Sequence, residues 1–159
     1  AVLNAHGNHP GPLEVVARRI ADAHGVYIAV MDPLKMAKDE IFRIVERGPK
    51  GTCHACEFET SLMLALEPDL VRMDRAVDTD SLRIPPGLKP PGVFLSTWGI
   101  QRSATGAYGE PTAATREKGE KILAAMVAAC AAFLAEYHRL REPAAPAKRP
   151  RARRAKGRI

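Results

Sequence analysis

The chain has 159 residues, 46% of them hydrophobic, which suffices for one compact domain with a buried core. Its net charge of +6 is gathered at the end: residues 141–159 carry eight Lys or Arg against one acid, a balance of +7 that leaves the rest at −1 and excludes a basic footprint for specific nucleic-acid recognition on the folded body. No run approaches the roughly 20 apolar residues of a membrane span, and three cysteines, two of them three apart around a histidine, argue against a secreted disulfide framework and for a reducing cytoplasm.

In chain order, Ala1 to Leu3 read as the end of a buried strand, followed by the turn-forming, histidine-rich loop "NAHGNHPGP". Leu13, Val16, Ala17, Ile20 and His24 recur at helical spacing against Glu14, Arg18, Arg19 and Asp22, and Gly25 supplies the stop. The short apolar run Val26 to Met31 predicts a strand of a parallel sheet covered on both faces, so strand, helix and strand form a βαβ unit. A second helix is predicted over Leu34 to Arg47. "GTCHACEFETSLMLALEPDLV" passes from a Gly-bounded loop into an apolar helix closed by Pro68. Arg72 to Gly109, rich in Pro and Gly, predicts irregular chain with one short strand near Val93 to Ser96. Glu117 opens a long final helix whose stripe Ile122, Met126, Ala129, Phe133, Tyr137 and Leu140 is expected to pack on the sheet. The expected organisation is one α/β domain over 1–140 and a basic, disordered Pro/Ala/Arg-rich tail over 141–159.

Two segments carry chemistry. His6 sits in a Gly-containing loop at the presumed carboxyl end of the first strand, a place where loops hold ligands, although a lone histidine in such a turn equally caps a carbonyl. "CHACEFETS" offers an imidazole, His54, and two carboxylates, Glu57 and Glu59, groups suited to divalent metals and to proton transfer. The competing structural role is that both acids complement the dipole at the helix start while Thr60 and Ser61 satisfy free N–H groups. Cys53 and Cys56 form a C-x-x-C, but Cys130 is mid-helix without a neighbour, which argues against a thiolate zinc site. Trp98 and Tyr108 are read as packing residues.

These segments resemble the creatininase-type amidohydrolases. "NAHGN" is similar to their N-G-H-G-G-N loop, "HACEFETSLMLALEPDLV" to their H-A-G-E-x-E-T-S-x-M-L helix entrance, and "GAYGEPTAATREKGEKIL" to their G-x-x-G-[DE]-P-T stretch before the last helix. The resemblance spans Ala1 to about Leu140. It implies a three-layer α/β/α fold with a mostly parallel sheet and hydrolysis of a linear or cyclic C–N amide bond. It also implies two divalent metal ions (Zn, Mn or Fe), a small-molecule amide substrate, a homo-oligomer, and no membrane partner. By this resemblance His6 and Glu57 are metal ligands and His54 is the catalytic proton carrier, with metal-activated water attacking the amide carbon. No substrate-binding residue is assigned.

The chain also departs from the family pattern. Ala5 and Asn8 replace glycines, His9 replaces the terminal asparagine, and Cys56 replaces the glycine beside Glu57. The family's Glu-x-His pair and following Asp lie upstream of the first loop, so the chain is expected to be a truncated fragment lacking the N-terminal portion. The alternative is a catalytically inactive homologue serving as a binding or assembly subunit.

Overall fold

The structure, a computed structural model, describes residues 1–79 and 103–140. The strand expected near Val93 to Ser96, Trp98 and the basic tail lie outside the described residues. The described residues fall into two compact units, one formed by Ala1–Pro33 with residues 132–140, the other within Leu34–Ala131.

The first unit is the predicted βαβ element. Strand β1 (Val2–Leu3) leads into helix α1 (Pro10–His24) and strand β2 (Val30–Met31), and the strands pair in parallel with Val2 opposite Val30 and Leu3 opposite Met31. The ladder includes Val2 N–H to the Ala29 carbonyl at 2.8 Å and Asn4 N–H to the Met31 carbonyl at 2.7 Å. Helix α1 begins three residues ahead of the apolar pattern because Pro10 and Pro12 fall in its first turn, where their preset φ helps and no N–H is needed. It stops as expected at Gly25, which takes the left-handed conformation (φ 65°) and donates its N–H to the Ala21 carbonyl.

Two expectations are corrected here. β2 is two residues long rather than the six of Val26–Met31, since the ladder extends only as far as β1 pairs with it. The first strand is not buried: Val2 is 38% and Leu3 64% exposed, because the elements of this unit offer too few neighbours to cover both faces. At the far end of the chain the Tyr137 hydroxyl donates to the Tyr27 carbonyl, and the Tyr137 ring stacks on Phe133.

The second unit is helical. The helix expected over Leu34 to Arg47 divides into α2 (Pro33–Met36) and α3 (Lys38–Ile44), because Ala37 leaves helical geometry at φ −103° and ψ 16°. Helix α4 (Glu57–Leu66) ends at Glu67, whose extended φ of −142° suits a residue before Pro68. Helix α5 (Arg116–Tyr137) is the long final helix. Ala37, Ile41, Val45, Cys56, Phe58 and Ile122 form the core, with Met126 and Ala129 packed against it. The first half of the α5 stripe therefore packs on α3 and the start of α4, not on a sheet; among the described residues this unit holds no strand, only an isolated antiparallel bridge between His54 and Tyr108.

Close approach of α5 to α4 depends on Gly119. A Cβ there would lie 1.9 Å from the Ser61 carbonyl oxygen and 2.9 Å from the Ala65 Cβ. One turn earlier, the Thr115 N–H donates to the Ser61 hydroxyl at 3.2 Å, so the helices meet through small residues and a satisfied polar contact.

Candidate active site

His54 stands on a loop held from several sides. Its backbone exchanges two hydrogen bonds with Tyr108, His54 N–H to the Tyr108 carbonyl at 3.0 Å and the reverse at 2.8 Å. Ala55 follows with a positive φ of 47°, an uncommon conformation for a residue with a Cβ, and its N–H is taken by the Glu59 carboxylate. Glu59 is the third residue of α4 and reaches back over the helix start, a variant of the capping box in which the carboxylate bonds one residue further out. The same Oε2 lies 3.6 Å from His54 Nδ1, and the imidazole is 50% exposed. His54 thus has a carboxylate close to one nitrogen while half of the ring is exposed, an arrangement compatible with proton transfer.

The "GEPT" turn builds the wall behind this loop. A Cβ at Gly109 would sit 2.7 Å from both the Cys56 Cβ and the Lys50 carbonyl oxygen, so only glycine lets the turn approach. Glu110 pairs with Lys50 at 2.8 Å and with Arg47 at 3.7 Å. Thr112 donates its N–H and hydroxyl to the two Asp78 carboxylate oxygens at 3.0 and 2.7 Å. Burial alone would raise the Asp78 carboxyl, but the two Thr112 bonds together with the nearby Arg47 and Lys50 charges outweigh it and hold the group below its ordinary range. Tyr108, read from sequence as packing, is the bridge partner of His54, with ring centroids 6.1 Å apart.

Glu57 opens α4 and is 0% exposed. Its carboxylate accepts the N–H of Glu46 on both oxygens at 3.0 Å, the N–H of Arg47 at 2.9 Å, and the Lys118 ammonium at 2.6 Å. Lys118, with a side chain only 14% exposed, also donates to the Ala113 carbonyl at 2.8 Å and pairs with Glu46 at 2.9 Å. Burial would lower the Lys118 pKa, yet the bonds to Glu46 and Glu57 prevail and raise it, so the ammonium stays charged. Sequence reasoning missed Lys118. The signal was present: it lies one turn before Ile122 on the buried stripe, and a lysine in such a place requires a buried acid.

His6 lies in the first unit, on the loop after β1. The Asn4 side chain brackets it, donating to the His6 carbonyl at 3.0 Å and accepting the His6 N–H at 3.2 Å. The His9 ring stands 4.5 Å from the His6 ring, and His9 N–H donates to the His6 carbonyl. His54 and Glu57 share the second unit but not a site: the imidazole pairs with Glu59, while the Glu57 carboxylate turns into the interior. Among the described residues no three His, Cys, Asp or Glu side chains are gathered as a metal site, and Glu57 already has a full set of donors. The donors of either unit, taken by itself, do not build a dinuclear metal centre.

The loop, helix entrance and turn described above match a known family over residues 1–134, creatininase, described as creatinine amidohydrolase, and the chain belongs to that family. Among its relatives, creatinine amidohydrolase of Pseudomonas putida is 46% identical over 70 residues, 44% of this chain and 25% of the relative. Mycofactocin precursor peptide peptidase of Mycobacterium tuberculosis (strain ATCC 25618 / H37Rv) is 36% identical over 92 residues, 56% of this chain and 34% of the relative. Among solved structures, a creatinine amidohydrolase (creatininase) superposes with a TM-score of 0.66 at 27% identity, over 87% of this chain and 56% of its own. The manganese form of creatininase gives 0.64 at 28% identity over the same shares. The α/β class read from the sequence is thus the fold shared with the creatininases. The chain spans about half the length of these solved relatives.

Proposed function

We infer that the protein is an amidohydrolase that cleaves a non-peptide C–N amide bond of a small molecule, linear or cyclic, with His54 as the proton-transfer residue. The observation carrying this reading is the His54–Glu59 pair on a clamped, half-exposed loop, in a chain of the creatininase family. Glu59 lies 3.6 Å from Nδ1 of the half-exposed ring, and in this reading the imidazole delivers a proton to the departing nitrogen as water adds to the amide carbon. Dependence on divalent metal is part of the proposal, supported by relatives solved as manganese and zinc-zinc forms, and His6 is the ligand proposed among the described residues. Glu57, the other expected ligand, could take that role only by giving up Lys118. A cytoplasmic homo-oligomer remains the proposed setting; no described helix is long and apolar enough to cross a membrane.

The test is hydrolysis of creatinine, simple formamides and short peptides by the full chain, with metal content measured on the same sample. His54→Ala should lower turnover about 10²- to 10⁴-fold on whichever amide is cleaved, and His6→Ala should lower metal content. A folded, metal-free protein inert toward all three substrate types would sink the enzyme reading and favour a binding or assembly subunit.

A further inference from the structure

We propose that Glu57 and Lys118 form a buried anchor that positions the His54 loop, and that the resident cation of Glu57 in this protein is the Lys118 ammonium rather than a metal ion. The proposal rests on the reading of His54 as the proton carrier, and it concerns how that residue is held.

A carboxylate offers about four lone-pair directions. Those of Glu57 are met by two contacts from the Glu46 N–H, one from the Arg47 N–H and one from Lys118 Nζ. Gly51 closes the remaining side, since even a Cβ there would come within 2.9 Å of Oε2. A metal ion bound at about 2 Å from either oxygen would face the Lys118 ammonium across a fully buried carboxylate, placing two cations side by side where screening is weak. Lys118 cannot simply withdraw, because Ala113 and Glu46 hold it from other directions.

The anchor has a direct consequence for His54. The loop Cys53–Cys56 is bridged to Tyr108 at His54 itself and runs directly into the first residue of α4, Glu57. Pinning Glu57 to the Glu46 and Arg47 amides fixes where α4 begins. That fixes Glu59 two residues on, and Glu59 accepts the Ala55 N–H and lies 3.6 Å from His54 Nδ1. Lys118 brings α5 into the same junction, so four segments of the unit determine the orientation of one imidazole. Lys118 is therefore a positioning residue that touches no reacting atom.

The experiment uses the full chain with ¹⁵N-labelled histidine. Three variants, Glu57→Gln, Lys118→Met and Lys118→Arg, are compared with wild type by the His54 ring resonances, by zinc uptake in equilibrium dialysis, and by thermal midpoint. Glu57→Gln and Lys118→Met should shift the His54 ring signals and lower the midpoint on the order of 10 °C, while zinc uptake stays at the wild-type level. Lys118→Arg should return the His54 signals toward wild type, which a loss of general stability would not explain. The proposal is overturned if Glu57→Gln abolishes zinc uptake, or if the His54 signals are unmoved in both Glu57→Gln and Lys118→Met. Where wild type takes up no zinc, the His54 signals alone decide. His54→Ala tests the catalytic reading separately: its thermal midpoint should stay near wild type, and unchanged turnover would remove the catalytic reading without touching the Glu57–Lys118 pair.

Discussion

At the scale of single residues, two side chains show how surroundings set behaviour. Asp78 holds the chain after α4 against the "GEPT" turn through both Thr112 bonds, and its carboxyl lies below the ordinary range. A depressed folded pKa contributes stability above the unfolded value near 4, and that contribution is lost as pH falls through the folded value. Asp78→Ala should therefore cost about 1 kcal/mol at pH 7, a figure reduced for the side chain's partial exposure, and the gap from wild type should be smaller at pH 3. Urea unfolding at the two pH values checks this; an equal gap at both would show that the charge is irrelevant. The cysteines differ in access. Cys56 is fully buried and its thiol is pushed up to about 11, chiefly by burial, whereas Cys53 is exposed although its thiol too is raised by desolvation. Iodoacetamide at pH 8 should label Cys53 well before Cys56 in the native protein, and mass mapping that finds Cys56 modified first would contradict the packing of the helix entrance.

At the scale of elements, the contact between α4 and α5 rests on one missing side chain. Because a Cβ at Gly119 would fall inside the Ser61 backbone, Gly119→Ala cannot be absorbed by a rotamer change and must move one helix. The expected loss is about 1–3 kcal/mol, against the slight gain that Gly→Ala gives in an open helix. A thermal midpoint equal to or above wild type would refute the close approach. α1, α4 and α5 were legible because their apolar spacing, Gly25 and Pro68 are local signals, although Pro10 and Pro12 read as loop residues rather than as the first turn of α1. The split at Ala37 and the brevity of β2 were not, since one depends on how Ala37 and Ile41 meet the core and the other on the length of a pairing partner. For the site, the residue types in "HACEFETS" announced proton chemistry, but not which carboxylate faces His54. Glu57 and Glu59 are two apart on a helix, about 200° around its axis, so one had to turn inward. Only the position of Lys118, far along the chain, decides which.

At the scale of the whole molecule, charge is distributed unevenly along the chain. Residues 141–159 carry eight cations against one acid while the remainder is close to neutral, and that segment contains no aromatic residue to stack on bases. Affinity for a polyanion should then come from counterion release alone, which depends on charge and not on sequence. The full chain should bind random and defined DNA duplexes equally, with log K falling against log salt at a slope no steeper than about −7, since eight cations neutralise at most eight phosphates. A chain ending at Leu140 should lose this binding, because what remains has a net charge of −1. Fluorescence anisotropy over a salt series makes the measurement. Retained binding in the shortened chain, or preference for one duplex, would place a nucleic-acid surface on the folded units and overturn the view that polyanion binding rests on the terminal basic charge alone.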